Sequence, residues 1–410
     1  MSDHDRSAPV ELVGVDEDTF AAWAAAFDLT FGVATSEESV ARRRRVAELD
    51  RLIAATDRTG QVVGTAGAFS FEISLPGGRS APCAGITLVS VRADHRRRGL
   101  LTRMMTQLLD DAAARGEPFA ALWASESPIY GRFGFGPAAP TLEVQLRREA
   151  AALHLDGPVD EVELVDADTA AARFPAIYAA YRAVRPGALS YDERWWRGRI
   201  LDDPSHRRER SGPLRCALLA DRGFATYRVS LDWGDDGPAG SVQIEELVAL
   251  DAAAHAALWR FVVDTDLTVT TSAVRRPVDD PLFAQLVDPG RARVVQGDPL
   301  QLRLVDVPAA LTARSYEVDG SLVLEVIDRF RPTAGGRWRM EVVDGVASLE
   351  PTGQQPDVAL DTADLAAVAL GGNRATQLAA AGRLDATRAS AAMLDRLLAS
   401  DVAPCHGGMF

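Results

Sequence analysis

The most constraining feature of this 410-residue chain is the order of elements between residues 88 and 137. A predicted strand leads into a turn of arginines and glycine that opens directly into a helix, and a buried strand and a second turn follow. The helix has apolar residues at helical spacing, namely Leu100, Leu101, Met104, Met105, Leu108 and Leu109. A strand, a tight turn and a helix in this order predict an α/β unit with a ligand site at the helix N-terminus.

The turn carries the residue types that bind a pyrophosphate. Three arginines, residues 96–98, precede Gly99, and the predicted helix starts at the next residue. Free N–H groups and the dipole at a helix N-terminus attract anions, glycine lets a phosphate approach the backbone, and arginines add charge and forked donors. The motif has neither the lysine of a P-loop nor the three glycines of a dinucleotide-binding turn. The residues assigned to the pyrophosphate are Arg97, Arg98, Gly99, Leu100, Leu101 and Thr102.

An arginine run also has a simpler interpretation, as a solvated face or a nucleic-acid patch. The four arginines at residues 42–45 fit a solvated helix face better than a binding site. The run at residues 96–98 differs because it lies between a predicted strand and a helix, and because Ser125 and Tyr130 follow it. This context favours the pyrophosphate site.

The sequences H-R-R-R-G-L-L at residues 95–101 and A-S-E-S-P-I-Y-G-R-F-G-F-G at residues 124–136 resemble the Eis (enhanced intracellular survival) family of GNAT N-acetyltransferases. The resemblance extends over the whole chain in outline and is detailed in this stretch. It implies acetyl-CoA as co-substrate and transfer of acetyl to amines of polycationic acceptors, such as aminoglycoside-type antibiotics and protein lysines. It also implies a homohexamer built as a trimer of dimers.

The resemblance assigns roles around the thioester. Backbone groups of Val89, Ser90 and Val91 would lie along the pantetheine arm, where the sheet splays, and Ser125 and Glu126 would contact the far side of the coenzyme. Tyr130 would be the general acid, because a phenol with a pKa near 10 is protonated at neutral pH and can donate to a leaving thiolate. The alternative is a tyrosine that only packs in the core.

The base implied by the resemblance is the terminal carboxylate of Phe410. Such a group is weakly basic in water, and burial in an apolar cleft would raise its pKa. The alternatives are a frayed tail without a catalytic role and His406 as the base. For the acceptor, the resemblance implies that Asp28 binds the ammonium, with a solvated carboxylate as the alternative. Trp195 would line a wall of the acceptor site, or would pack in an aromatic cluster under a loop.

We expect an α/β (α+β) protein with three domains. Residues 1–147 form the GNAT domain, with helices at 16–27 and 42–52. Residues 148–304 resemble a degenerate GNAT unit, because a strand at 242–249 runs into a helix without an arginine–glycine turn. Residues 305–410 resemble a sterol-carrier-like domain, with a helix capped by Asp361 or Thr362. We favour a structural role for that domain, delivering the catalytic C-terminus, over lipid binding.

Composition narrows the class of partner. The net charge of −14 disfavours nucleic acid and favours polycationic partners, and the sequence contains no lysine. No run approaches the ~20 apolar residues that span a bilayer, and the first nine residues lack the apolar segment of a signal peptide. Three widely spaced cysteines predict neither disulfides nor a metal site. We therefore expect a cytoplasmic enzyme without a metal or a membrane partner.

Two other functions fit parts of the sequence. One is an acyltransferase that uses a longer acyl chain or another amine, such as a polyamine. The other is a lipid-binding carrier built around the last domain, with a relic GNAT half. Coenzyme binding separates the carrier from both transferases.

Overall fold

The computed structural model describes residues 10–155 and 157–410. The first nine residues, on which the expectation of no signal peptide rests, lie outside the described part. No helix within the described ranges is both long enough and apolar enough to cross a membrane.

The first third of the chain supplies six strands and four helices. Helix Leu100–Ala114 forms as its pattern predicts, and its apolar stripe is buried against the sheet. The elements are β1 (Glu11–Gly14), α1 (Phe20–Thr30), α2 (Glu37–Val46), β2 (Leu52–Thr56), β3 (Val62–Leu75), β4 (Arg79–Val91), α3 (Leu100–Ala114), β5 (Phe119–Leu122), α4 (Ser127–Tyr130) and β6 (Gly136–Arg147).

The second third repeats the order of strand, helix and strand seen in the first. The elements are β7 (Glu163–Val165), α5 (Ala167–Val184), α6 (Glu193–Trp195), α7 (Ser205–Ser211), β8 (Arg215–Leu219), β9 (Gly223–Ser230), β10 (Trp233–Gly234), β11 (Gly237–Pro238), β12 (Gly240–Ala249), α8 (Ala252–Val263), β13 (Thr268–Pro277), α9 (Leu282–Gln285) and β14 (Arg293–Leu304). Hence β12, α8 and β13 correspond in order to β4, α3 and β5.

The two halves exchange their last strands within one twelve-stranded sheet. The order is β1-β2-β3-β4-β5-β14-β6-β13-β12-β9-β8-β7. Strand β14, from the end of the second half, pairs with β5, whereas β6 pairs with β13. Each half is therefore completed by a strand of the other.

The last third forms a separate five-stranded sheet in the order β17-β16-β15-β18-β19. Its elements are α10 (Val307–Thr312), β15 (Gly320–Ile327), β16 (Gly336–Val343), β17 (Val346–Pro351), β18 (Val358–Asp361), α11 (Thr362–Val368), α12 (Ala375–Ala380), β19 (Leu384–Ala386) and α13 (Arg388–Leu397). Asp361 caps α11, as one of the two predicted caps. Helix α11 is buried throughout and lies against β6, where a Cβ at Gly136 would clash with the Ala363 carbonyl.

Two predicted helices of the first half have different bounds in the structure. Helix α1 begins at Phe20 rather than at residue 16. Helix α2 covers residues 37–46 rather than 42–52, because a capping box between Ser36 and Ser39 starts it earlier. Its arginines consequently occupy the middle and the end of the helix, and two of them face inward, as described below.

Candidate active site

A cleft opens where β4 and β5 stop pairing. The two strands are parallel partners only from Cys83 to Gly85 on β4, and beyond this point the β5 side of β4 has no strand. A cavity of about 730 Å³ occupies the gap. Its lining includes ten of the eleven predicted coenzyme residues, all except Arg98: Val89, Ser90, Val91, Arg97, Gly99, Leu100, Leu101, Thr102, Ser125 and Glu126.

The turn between β4 and α3 presents its backbone to this cleft. Arg97 and Gly99 both have left-handed φ angles, 62° and 74°. Alternating left- and right-handed residues turn successive N–H groups toward one point and form an anion-binding concavity. No side chain caps α3, so the first N–H groups of the helix are left for a ligand. Glycine suits residue 99 because the backbone there is left-handed.

Arg98 lies differently from its prediction. It does not line the cavity, and its Nη2 donates instead to the Asp94 carbonyl at 2.9 Å. That contact stabilises the turn from behind. His95 and Arg96 line the cleft although neither was assigned to the coenzyme, and their place immediately before the predicted motif was the available signal.

Tyr130 stands at the junction of two cavities. It lines the cleft between β4 and β5 and a neighbouring cavity of about 290 Å³. Burial, and then the nearby Glu126 carboxylate, raise the pKa of Tyr130 above its usual value, so the phenol stays protonated at neutral pH. Arg303 from β14 supports the turn after Tyr130, because it donates to the Phe133 carbonyl and pairs with the buried Asp328.

The neighbouring cavity is predominantly aromatic and apolar, with arginines at one side. Leu88 reaches it from a left-handed position in β4, with φ 52°. The Phe410 ring lies in it and contacts Phe71 edge to face, with 5.3 Å between ring centroids. The full lining is Phe27, Phe31, Arg42, Arg43, Val46, Phe69, Ile86, Thr87, Leu88, Val89, Trp123, Ser125, Tyr130, Trp195, Gly198, Arg199, Met409 and Phe410.

The C-terminal tail is fastened between the two halves of the sheet. Trp123 Nε1 donates to the Gly408 carbonyl at 2.9 Å, and Arg199 Nε donates to the Met409 carbonyl at 3.2 Å. Arg275 Nε donates to the Gly407 carbonyl. These contacts bring Phe410 and Tyr130 to the same cavity, which the frayed-tail alternative does not provide for.

His406, the rival base, is held by its surroundings. Its Nδ1 accepts from the Leu189 N–H at 3.4 Å, and its Nε2 lies 3.3 Å from the Tyr191 hydroxyl. Burial, and then Arg275, lower the pKa of His406 to about 3. A ring that is 1% exposed and so weakly basic is a poor proton acceptor for an amine in the cavity.

Asp28 lies elsewhere than predicted. The side chain is 2% exposed, and Arg43 pairs with it at 2.6 Å. Asp28 lines neither cavity, because the partner arginine comes between it and the space. The inward-facing Arg42 and Arg43 take the lining positions, which corrects the interpretation of residues 42–45 as a solvated face.

Trp195 combines the two alternatives that its position allowed. It lines the acceptor-side cavity but is only 3% exposed, and it packs edge to face on Phe69 with 4.9 Å between centroids. It is therefore a core residue with one edge on the cavity.

The corresponding helix of the second half, α8, has a side-chain cap at its N-terminus. Asp251 caps α8 by accepting from the Ala254 N–H at 2.9 Å, and Arg222 pairs with the same carboxylate at 2.8 Å. Beyond the β12–β13 pairing, the buried Arg276 donates to the Leu247 carbonyl at 2.9 Å. Within the described ranges, no group of three or more His, Cys, Asp or Glu residues could hold a metal ion.

Comparison with known families covers nearly the whole chain. A model described as an acetyltransferase (GNAT) domain matches residues 13–138, and a second with that description matches residues 187–304. A sterol carrier protein domain matches residues 307–406. The predicted fold class, two GNAT units and a sterol-carrier-like domain, is confirmed by these matches.

Curated relatives and solved structures agree with this result. An uncharacterised N-acetyltransferase of Streptomyces coelicolor is 42% identical, over 91% of this chain and 92% of its own. The N-acetyltransferase Eis of Mycobacterium tuberculosis is 37% identical, over 89% of this chain and 90% of its own. The crystal structure of Eis1 from Mycobacterium abscessus covers 98% of this chain and all of that one (100%), with a TM-score of 0.85 and 30% identity.

Proposed function

We propose, from the premise that this chain belongs to the Eis family of GNAT N-acetyltransferases, that it transfers acetyl from acetyl-CoA to the amine of a small-molecule acceptor. The observation that carries the proposal is the position of Tyr130, which lines both the cleft below the uncapped α3 and the cavity that holds Phe410. The thioester would lie beside Tyr130 and the amine beside Phe410.

The coenzyme would be held mainly by backbone groups. The N–H groups at the start of α3 and the turn at Arg97 and Gly99 would bind the pyrophosphate. The unpaired edge of β4, at Val89 and Val91, would bond the pantetheine arm, and Ser125 and Glu126 would contact it from β5's end. In this position the thioester carbonyl lies along β4, whose N–H groups polarise it.

The transfer needs two proton movements. The amine nitrogen forms a bond to the carbonyl carbon, and the carbon–sulfur bond breaks. The nitrogen loses a proton to the base, for which we propose the Phe410 carboxylate, and Tyr130 donates its proton to the departing thiolate.

The test is thiol release from acetyl-CoA with a panel of amines. Tyr130→Phe should lower kcat by about 10²–10⁴ while acetyl-CoA still binds in calorimetry. Tyr227→Phe, a conservative change on β9 in the second half, is the matched control. A Tyr130→Phe enzyme with wild-type turnover would refute the assigned acid.

The proposed base has its own test. A glycine added after Phe410 moves the carboxylate and should lower turnover sharply, with little change in the thermal midpoint. Phe410→Leu keeps a terminal carboxylate and is the control for the loss of the ring. Full activity of the extended chain would contradict the role of the carboxylate, and His406→Ala then tests the rival base.

Two observations about charge favour different classes of acceptor. The net charge of −14 supports the polycationic aminoglycosides and lysine side chains that the family resemblance implies. The cavity itself presents Arg42, Arg43 and Arg199, while Asp28 is neutralised by its partner. An aminoglycoside in the thiol-release panel decides between the two. The homohexamer and the cytoplasmic location stay predictions, tested by light scattering and by cell fractionation.

A further inference from the structure

A second cavity continues the acceptor side of the site. It measures about 350 Å³, and it shares Arg199 and Met409 with the cavity that holds Phe410. Its charged lining comes from the second third of the chain and consists of Arg199, Arg207, Arg210, Arg228, Arg275, Glu245 and Glu246, with His206 beside them. Five arginines face two carboxylates, in a protein whose overall charge is −14. We refer to this space as the arginine cavity.

The two kinds of arginine in the arginine cavity differ in their partners. Arg207 and Arg228 both pair with Glu245, at 3.3 and 3.0 Å, and Arg228 also pairs with Asp203 at 2.6 Å. Arg199, Arg210 and Arg275 form no ion pair with any residue in the described ranges. Glu246 and Glu245 favour the charged form of Arg275, and Asp202 that of Arg199, but none of these carboxylates lies within ion-pair distance of its arginine.

Several guanidinium nitrogens of the arginine cavity lack a hydrogen bond among the described residues. Arg199 and Arg275 each use Nε to hold a carbonyl of the tail, so both η nitrogens of each guanidinium are left without a hydrogen bond among the described residues. Arg228, which is 2% exposed, has an Nη2 without a partner. Guanidinium groups of this kind match the paired oxygens of a carboxylate or a phosphate.

The backbone and the charges support the same conclusion. Arg275 has a left-handed φ of 53° where the β13–β6 register breaks, and strained backbone of this kind concentrates at binding sites. Burial, followed by the like charges of Arg207 and Arg42, lowers the pKa of Arg199 to about 10. Burial also raises the pKa of Glu246 to about 7, so this carboxyl group offsets only part of the positive charge at neutral pH.

We propose that the acceptor is an amine that also carries an oxyanion, a carboxylate or a phosphate, which Arg199, Arg210 and Arg275 bind in the arginine cavity while the amine lies beside Phe410. This inference rests on the proposed acetyl transfer and names its substrate class. A polycation would instead bring its charges against unpaired arginines.

Matched acceptors test the proposal on the whole enzyme. A series of ω-amino carboxylates of increasing length is compared with the alkylamines of the same length, with ω-amino alkyl phosphates and with an aminoglycoside such as kanamycin. For the best length, kcat/KM should be about tenfold to a hundredfold higher with the anion than without it, the effect of a charge-assisted hydrogen-bonded pair. The better of the carboxylate and phosphate series identifies the group. Preference for the neutral amines or for kanamycin would overturn the proposal.

Substitutions of single arginines test which of them cause the preference for the anionic amine. Arg275→Gln and Arg210→Glu should each reduce the ratio of kcat/KM between the anionic amine and its neutral match. The ratio is used because Arg275 also holds the tail, whereas Arg210 lies exposed on α7 and has no hydrogen bond to the tail among the described residues. Arg197→Gln, two residues before Arg199 and outside both cavities, is the control that should leave the ratio unchanged. Equal ratios in wild type and Arg210→Glu would overturn the assignment.

A binding measurement separates this proposal from the proposed function. Hexanedioate and inorganic phosphate are titrated calorimetrically into wild type and Arg210→Glu without acetyl-CoA. If no amine is acetylated, the acetyl-transfer proposal fails, and anion binding that Arg210→Glu weakens would still support the arginine cavity. Absence of binding by both anions and of any anionic preference in turnover would refute it.

Discussion

Each GNAT half contains a helix that follows a strand. The N-terminus of this helix has no side-chain cap in the first half and has one in the second. Helix α3 begins after the left-handed Gly99 without a side-chain cap, whereas α8 begins with the Asp251 carboxylate on its first free N–H groups. A helix N-terminus attracts one anion. In the second half the chain provides that anion, whereas in the first half we propose that a ligand provides it.

The gaps between the strands differ in the same way. Beyond Gly85 the β5 side of β4 faces an open cleft. In the second half the buried Arg276 crosses to the Leu247 carbonyl and is itself held by Asp280 at 2.6 Å. The first copy of the fold thus differs from the second in leaving backbone groups unsatisfied where we propose that the coenzyme binds.

The largest effect is expected where the second half supports the first. Arg303 on β14 donates to the Phe133 carbonyl and pairs with the buried Asp328. Arg303→Ala therefore leaves the buried Asp328 carboxylate without its ion-pair partner. Unfolding in denaturant should show a loss of about 3–5 kcal/mol. Arg293→Ala, at the exposed start of the same strand, should change little. A small loss for Arg303→Ala would mean that the Asp328 carboxylate, in the last third of the chain, does not depend on this ion pair.

Converting the first helix N-terminus into a copy of the second is the next test. Gly99→Asp places a carboxylate where the pyrophosphate would bind, and KM for acetyl-CoA should rise at least about tenfold, or ~1.4 kcal/mol. Gly116→Asp is matched in backbone strain, because φ is 72° there against 74° at Gly99, and it should leave KM unchanged. Equal KM values for both variants would contradict the proposed pyrophosphate site.

The buried carboxyl group of the second half gives a pH test. The pKa of Glu246 is raised to about 7, so the folded protein resists ionisation that the unfolded chain undergoes near 4.5. Stability from this group is therefore lost as pH rises from about 4.5 to 7. Relative to wild type, Glu246→Gln should raise the free energy of unfolding more at pH 8 than at pH 5, by an amount on the order of 1–3 kcal/mol, and the thermal midpoint should rise accordingly.

Two controls accompany that measurement. His406, with its pKa lowered to about 3, acts in the opposite direction, because stability falls as pH drops below about 6.5; comparing wild type with Glu246→Gln at each pH removes its contribution. Glu245→Gln loses the ion pair with Arg228 and should lower the midpoint. A Glu246→Gln variant without pH-dependent stabilisation would show that this carboxyl group is solvated.

The smallest effect is expected from removing the cap of the second half. Asp251→Ala should cost about 1 kcal/mol of unfolding free energy and leave KM for acetyl-CoA unchanged. Asp166→Ala, which removes the cap of α5, is the matched loss of a cap elsewhere. A changed KM in Asp251→Ala would show that the second half takes part in coenzyme binding.

The sequence predicted those elements that are determined by residues close together in the chain. The strand, turn and helix from residue 88 to residue 114 were readable because periodicity, glycine and charge coincide there. The start of α2 was missed because the serine pair at residues 36 and 39 forms a capping box that apolar periodicity does not reveal. Because the helix was predicted to start later than it does, the sequence did not show that Arg42 and Arg43 face inward. The ion pair that neutralises Asp28 was therefore not predicted either.

Long-range pairing was beyond the sequence. Nothing local to β14 indicates that it pairs with β5 rather than with its own half, because the register is set by sheet contacts made far along the chain. The arginine cavity could not be predicted either, because its residues lie far apart in the sequence. Its unpaired arginines come from the turn after α6, from α7 and from β13, and each looks like an ordinary surface charge in its own segment.

The strand exchange also determines when the first half can finish folding during synthesis of the chain. Strand β5 is made early, but its partner β14 emerges only when the ribosome has passed residue 304. Domains ordinarily fold one after another as the chain grows, and here the first must wait with an open sheet edge until the second is nearly complete. A nascent chain stopped at residue 147 therefore exposes that edge, and such edges promote aggregation.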